Sequence, residues 1–143
     1  MQVAVVNGVN LNMLGRRDPK QYGSLTLTQL ETQIYAWSVE LGLTVRCFQT
    51  NHEGQLVEQV HDACDWAGGM IVNPGAWTHY SYAIRDALEI FTNPVVEVHL
   101  SAVDEREEWR RRSVISDLVT HRIVGKGAEG YRIALRYLAE LAQ

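Results

Sequence analysis

The stretch "VAVVNGVNLN", residues 3–12, sets four consecutive apolar residues directly against an amide-rich turn. Such a run is too short for a helix face and has no polar alternation, so it predicts a strand buried on both faces. Comparable runs recur along the chain as "LTVRCF" at 43–48, "GMIV" at 69–72, "VVEV" at 95–98 and "RIV" at 122–124. Helical spacing fills the intervals. Leu27, Leu30, Ile34, Trp37 and Leu41 follow Thr26, with Gln29 three residues on as a capping box and Gly42 as the stop. Leu56, Val57, Val60, Ala63 and Cys64 mark a second helix, and Ala83, Ile84, Ala87, Leu88 and Phe91 a third. Tyr131, Leu135, Leu138 and Leu141 mark the last, and the charged "DEREEWRRR" at 104–112 reads as a further short helix. Strands alternating with helices imply parallel βαβ units. The expectation is an α/β fold with a five-stranded parallel sheet in the order 2-1-3-4-5 and helices on both faces, the flavodoxin-like arrangement.

A chain of 143 residues with 46% apolar content suits one domain, residues 1–143, with no linker, repeat or low-complexity tract. A net charge of −4 argues against a nucleic-acid partner, whose binders are usually strongly basic. The start, "MQVAVVNGVN", lacks a basic leader region, and no apolar run approaches the roughly 20 residues of a membrane span, so a cytoplasmic protein without membrane contact is expected. Cys47 and Cys64 are too few for a disulfide framework and lie in no metal-ligand spacing, and both read as small buried apolar residues.

The longest irregular segment, about 7–25, contains "GRRDPKQYGS" at 15–24. A turn there needs only Asp18, Pro19 and Gly23; Arg17 and Tyr22 are surplus to it. In open α/β sheets ligands bind beyond the carboxyl ends of the strands. There the first strand runs into "NGVNLN", the third into "NPGAWTH" and the fourth into "HLS". Asn7, Asn10, Asn73, His79 and His99 therefore gather on one edge, with the Arg17/Tyr22 loop free to close over them as a lid at about 10–25. Asparagines near Gly8 and Pro74 also suit turns for purely structural reasons, and His79 sits at a helix start for which Thr78 is the natural N-cap. His99, at the end of a strand covered on both faces, is harder to explain structurally.

The available chemistry is narrow. Lys20 and Lys126, the only lysines, lie in loops, which disfavours Schiff-base catalysis, and no HExxH, GxSxG or P-loop motif is present. Acid/base chemistry by Tyr and His remains, with Arg as electrostatic partner and Asn amides as orienters. A tyrosine is a poor base unless its anion is stabilised, and a neighbouring guanidinium does that. On this reading Arg17 makes Tyr22 a usable base.

The segments "NGVNLNMLGRRDPKQYG", "FQTNHEGQLV", "NPGAWTHYSYAIRDAL", "PVVEVHLS", "REEWRRRS" and "GAEGYRIALRYL" cover nearly the whole chain in order. In them the sequence resembles the type II 3-dehydroquinate dehydratases, or type II dehydroquinases. Val9 stands where that family usually has proline, Trp77 where a smaller aromatic or leucine is common, and Arg112 where histidine often precedes the serine. "GKG" at 125–127 replaces a more apolar turn.

The resemblance implies dehydration of 3-dehydroquinate to 3-dehydroshikimate by anti elimination through an enolate, in the shikimate pathway or quinate catabolism, without metal or other cofactor. It makes Tyr22 the proton acceptor at C2, Arg17 its electrostatic partner, His99 the acid for the departing hydroxyl, and Asn10 the residue that steadies the enolate through a held water. Asn73, His79, Arg110 and the backbone N–H groups of Leu100 and Ser101 would bind substrate hydroxyls and carboxylate. Glu97 would orient His99, and Arg106 would anchor the lid. Asp86 would serve the site of an adjacent subunit in a homododecamer built as a tetramer of trimers. Two rival readings are a binding module for an anionic small molecule or flavin, and a lyase or isomerase acting on a related carbocyclic acid. Against the flavin module, "NGVNLN" is not a hydroxyl-rich phosphate loop.

Overall fold

The computed structural model describes residues 1–143. Five strands form one parallel sheet: β1 (Gln2–Asn7), β2 (Thr44–Gln49), β3 (Gly69–Asn73), β4 (Val95–His99) and β5 (His121–Val124), in the order β2-β1-β3-β4-β5. Alternate side chains of each strand enter opposite layers. Val3, Val5, Ile71, Val96, Val98 and Ile123 pack against Leu30 and Ile34 of α2 (Leu27–Glu40) and Leu135 and Leu138 of α5 (Glu129–Leu141). Ala4, Val6, Met70 and Val72 pack against Leu56 and Val60 of α3 (Glu53–Ala63) and Ile84 and Leu88 of α4 (Tyr82–Ile90). Burial on both faces explains why the strands read as uninterrupted apolar runs.

The chain passes from β1 outward to β2 and returns on the other side of β1 to form β3. The loops after β1 and β3 therefore leave in opposite directions and open a crevice at the carboxyl edge, where Asn7 and Asn73 are register partners. Backbone contact across this crevice demands glycine twice. A Cβ on Gly8 would lie 2.5 Å from the Pro74 carbonyl oxygen, and one on Gly75, at φ +63°, 2.6 Å from that of Val9.

The capping box at Thr26 and Gln29 forms as expected, with both reciprocal hydrogen bonds present. The Asp18, Pro19 and Gly23 turn becomes a single helical turn, α1 (Pro19–Tyr22), in which Asp18 accepts from the Lys20 N–H and Gly23, at φ +72°, ends it. Other expectations need correction. "DEREEWRRR" is not a helix but two short 3₁₀ turns, Val103–Glu105 and Glu108–Arg110, separated by extended backbone at Arg106 and Glu107. None of residues 104–112 is buried, so the segment has no apolar face to hold a helix down. Ser81, not Thr78, caps α4, because residues Gly75–His79 form a 3₁₀ turn that ends before the helix starts. Ala83 is exposed rather than part of the core. Cys64 is exposed and Cys47 half-buried on the edge strand β2, where burial pushes its thiol up to about 12.

Candidate active site

At the crevice a cavity of about 170 Å³ is lined by Asn10, Arg17, Tyr22, Asn73, His79, His99, Leu100, Ser101, Arg106 and Arg110, among others. That is room for one small ring-sized molecule, since an engineered cavity of about 150 Å³ takes benzene. Tyr22 reaches it from the single turn α1. Its hydroxyl oxygen accepts from Arg17 Nη2 at 2.7 Å and from Arg106 Nη1 at 2.6 Å. The Arg17 guanidinium also lies 3.8 Å from the ring centroid. Two cationic donors thus converge on one phenol oxygen, where they stabilise negative charge as it develops. Arg106 also donates to Ser101 Oγ at 3.2 Å, tying the loop to the end of β4.

His99 and Glu97 share one face of β4, both buried. His99 Nε2 lies 2.6 Å from Glu97 Oε2, and Nδ1 has no partner within the chain. Glu97 is fully buried yet accepts from Thr78 Oγ1 at 2.6 Å and Ser113 Oγ at 3.2 Å. Burial alone would push its carboxyl up; the hydrogen bond and charge of His99, the Thr78 hydroxyl and the Arg122 guanidinium outweigh this and hold it below the ordinary value. His79 donates from Nδ1 to the Arg112 carbonyl at 2.6 Å, because a carbonyl only accepts. Burial, helped by the nearby His99 and Arg110, pushes its imidazole below the ordinary value despite that bond. A neutral His79 then offers Nε2 as an acceptor.

Asn73 is held at both ends: Oδ1 accepts from the Gly75 N–H at 3.1 Å, and Nδ2 donates to Tyr131 Oη at 3.0 Å. Tyr131 in turn donates to Asn7 Oδ1 at 2.6 Å. Sequence periodicity placed Tyr131 only in a helix core. Its signal was chemical, because a buried tyrosine hydroxyl needs a partner. Asn10 is the one non-glycine residue with positive φ, at +68°, a conformation asparagine tolerates best among residues with a Cβ. Its N–H donates to Asn51 Oδ1, so the loop after β1 is fastened to the end of β2. The Leu100 and Ser101 N–H groups donate to no group of the chain. They are free donors, as expected, but a 3₁₀ turn follows β4 rather than a helix start.

Residues 1–139 match the family described as dehydroquinase class II. The chain belongs to that family. It is 52% identical over 140 residues to a 3-dehydroquinate dehydratase of Deinococcus radiodurans, covering 97% of this chain and 98% of that protein. It is 50% identical over 141 residues to one of Pelobacter propionicus, covering 98% and 95%. The crystal structure of the type II dehydroquinase of Propionibacterium acnes superposes with a TM-score of 0.94 at 43% identity, covering 97% of this chain and 96% of that one.

Within this dehydroquinase framework, of the residues singled out from sequence, Asn10, Arg17, Tyr22, Asn73, His79, His99, Leu100, Ser101, Arg106 and Arg110 line the cavity, and Asn7, Glu97 and Asp86 do not. Asp86 is exposed on α4 beside Tyr82, Ala83 and Glu89. Arg85 next to it pairs instead with Asp117 and Glu89, leaving Asp86 without a salt bridge. No helix is long and apolar enough to cross a membrane.

Both depressed groups make the fold acid-sensitive. A folded value below the unfolded one means that protonation favours the unfolded chain, so stability is full above the unfolded value and falls as pH drops towards the folded one. For His79 the loss starts below its ordinary 6.5, and for Glu97 below 4.5. The thermal midpoint is therefore expected to decline in two segments on acidification. His79→Asn should flatten the upper segment and spare the lower. An unchanged upper slope in that variant would show that His79 does not bear it.

Proposed function

We propose that the dehydration of 3-dehydroquinate to 3-dehydroshikimate, the shikimate-pathway reaction that this dehydroquinase catalyses, runs by anti elimination through an enolate. Tyr22, its oxygen held by the Arg17 and Arg106 guanidinium groups, removes the C2 proton. Asn10, through a held water, steadies the enolate oxygen. His99, oriented by Glu97, gives a proton to the departing hydroxyl, which leaves as water as the enolate electrons form the new double bond. Asn73 and His79 bind hydroxyls; the free Leu100 and Ser101 N–H groups, with Arg110, bind the carboxylate. Residues 10–25 act as the lid that brings Tyr22 over the ring. The observation that carries this reading is the pair of guanidinium groups on Tyr22 Oη sharing one small cavity with a carboxylate-held histidine. Base and acid then come from different elements, the lid and the sheet edge, as opposite-face chemistry requires.

The test is direct: purified protein added to 3-dehydroquinate should produce the ultraviolet absorbance of a conjugated enone. Its absence at high enzyme concentration, with substrate binding retained, would leave a binding module in its place.

Asp86 belongs to a neighbour's site in this proposal, within a homododecamer of four trimers. Its exposure, its lack of a salt bridge and its place outside its own chain's cavity support that role. Asp86→Ala is then expected to weaken substrate binding without unfolding the subunit. Mixed with Tyr22→Phe under subunit exchange, it should recover activity, because some sites combine an intact Tyr22 with a neighbour's intact Asp86. Exchange demonstrated by mass, with activity no higher than the sum of the parents, would confine Asp86 to its own subunit or to no role.

A further inference from the structure

Arg122 is the one cation placed against the far side of the Glu97 carboxylate, and nothing in the proposed chemistry uses it. It is the register partner of Glu97 on the neighbouring strand β5. Glu97 Oε2 is occupied by His99 and Thr78, while Oε1 faces Arg122 Nε at 3.3 Å. That contact lacks hydrogen-bond alignment, so its effect is electrostatic. The guanidinium is fixed from its other end by Asp104, 3.2 Å from Nη1. A fully buried carboxylate is costly to keep ionised, and removal of one partner of such a pair leaves an uncompensated charge that protonates instead.

We propose that Arg122 is a positioning residue for proton donation by His99, acting through Glu97. It keeps Glu97 as a carboxylate, so His99 Nε2–H remains the donor to Oε2 and the imidazolium presents its second proton, at Nδ1, to the cavity. When the C–O bond of the substrate breaks, that proton passes to the departing oxygen, and neutral His99 stays held through Nε2–H. Without Arg122 the carboxylate loses the counter-charge on Oε1, takes a proton more readily and holds His99 Nε2–H less firmly, so a smaller share of the enzyme presents the proton at Nδ1. The base at Tyr22 is untouched. The inference rests on His99 being the acid.

The experiment follows two rates in each enzyme: elimination, and washout of deuterium from C2-labelled 3-dehydroquinate in ordinary water. Arg122→Met is expected to lose about tenfold in the kcat of elimination, a part of the roughly 10²- to 10⁴-fold available to an acid, with KM little changed. Washout should persist, raising the ratio of exchange to elimination, and Arg122→Lys should restore most of the lost rate. Equal losses in both rates, or no loss, would overturn the proposal. Should Arg122→Met fold poorly, Glu97→Gln is compared with Glu97→Gln/Arg122→Met, where no buried carboxylate remains. The double variant should eliminate as fast as the single one, and a further tenfold fall would overturn the proposal. His99→Ala, run alongside, separates the two failures. If it leaves the exchange ratio unmoved, His99 is not the acid; if it raises the ratio while Arg122→Met does not, only the role of Arg122 falls.

Discussion

Tyr22→Phe is expected to abolish nearly all turnover, by about 10²- to 10⁴-fold, while leaving the fold and substrate binding in place. The change deletes one oxygen. The ring that packs beside Leu14 and Leu100 is kept, and so is the Arg17 guanidinium stacked on its face. What disappears is the only acceptor on which Arg17 and Arg106 converge. Titration calorimetry with 3-dehydroquinate should give an affinity close to that of the unaltered protein, and deuterium at C2 should no longer wash out. Washout retained in Tyr22→Phe would move the base elsewhere. Arg17→Ala should lose most turnover as well, because the charge developing on the phenol then has Arg106 alone to meet it.

His99→Ala is expected to produce an equally large loss in elimination with a different signature. In the proposed mechanism proton removal at C2 depends on Tyr22, so the enolate should still form and return to substrate, and exchange should run ahead of product formation. Glu97 would be left buried with Thr78, Ser113 and Arg122 but without its histidine, which costs stability as well as rate. A lower thermal midpoint should therefore accompany the kinetic change in His99→Ala and not in Tyr22→Phe. Parallel losses of exchange and elimination in His99→Ala would assign proton removal, rather than leaving-group departure, to that histidine.

The architecture was legible in the sequence because its signals are local. Each strand is a short apolar run, and each long helix has a periodic face, the first with Thr26 and Gln29 at its start. The alternation of strand and helix restricts the sheet to very few orders. The carboxyl-edge rule then located Asn10, Asn73, His79 and His99, since the residue after a strand is fixed once the strand is. The long irregular segment then brought Arg17 and Tyr22 over the same edge, and the resemblance to dehydroquinases added Arg110.

Tertiary structure decided what depends on contacts between distant positions. That Arg106 reaches Tyr22, 84 residues away, is a matter of how the segment after β4 bends, and that segment lacked the apolar face that would have made it the expected helix. Thr78 reads as a helix cap in isolation, yet its hydroxyl serves Glu97 because a buried carboxylate draws donors more strongly than a helix end that Ser81 already caps. Tyr131 closing on Asn7 and Asn73, and Arg122 standing against Glu97, follow from strand register and helix docking, neither of which leaves a mark in local spacing. The sequence by itself determined which residues reach the sheet edge. Only packing decided which of them meet, because hydrogen bonds and ion pairs act over a few ångströms and join positions that the chain separates by tens of residues.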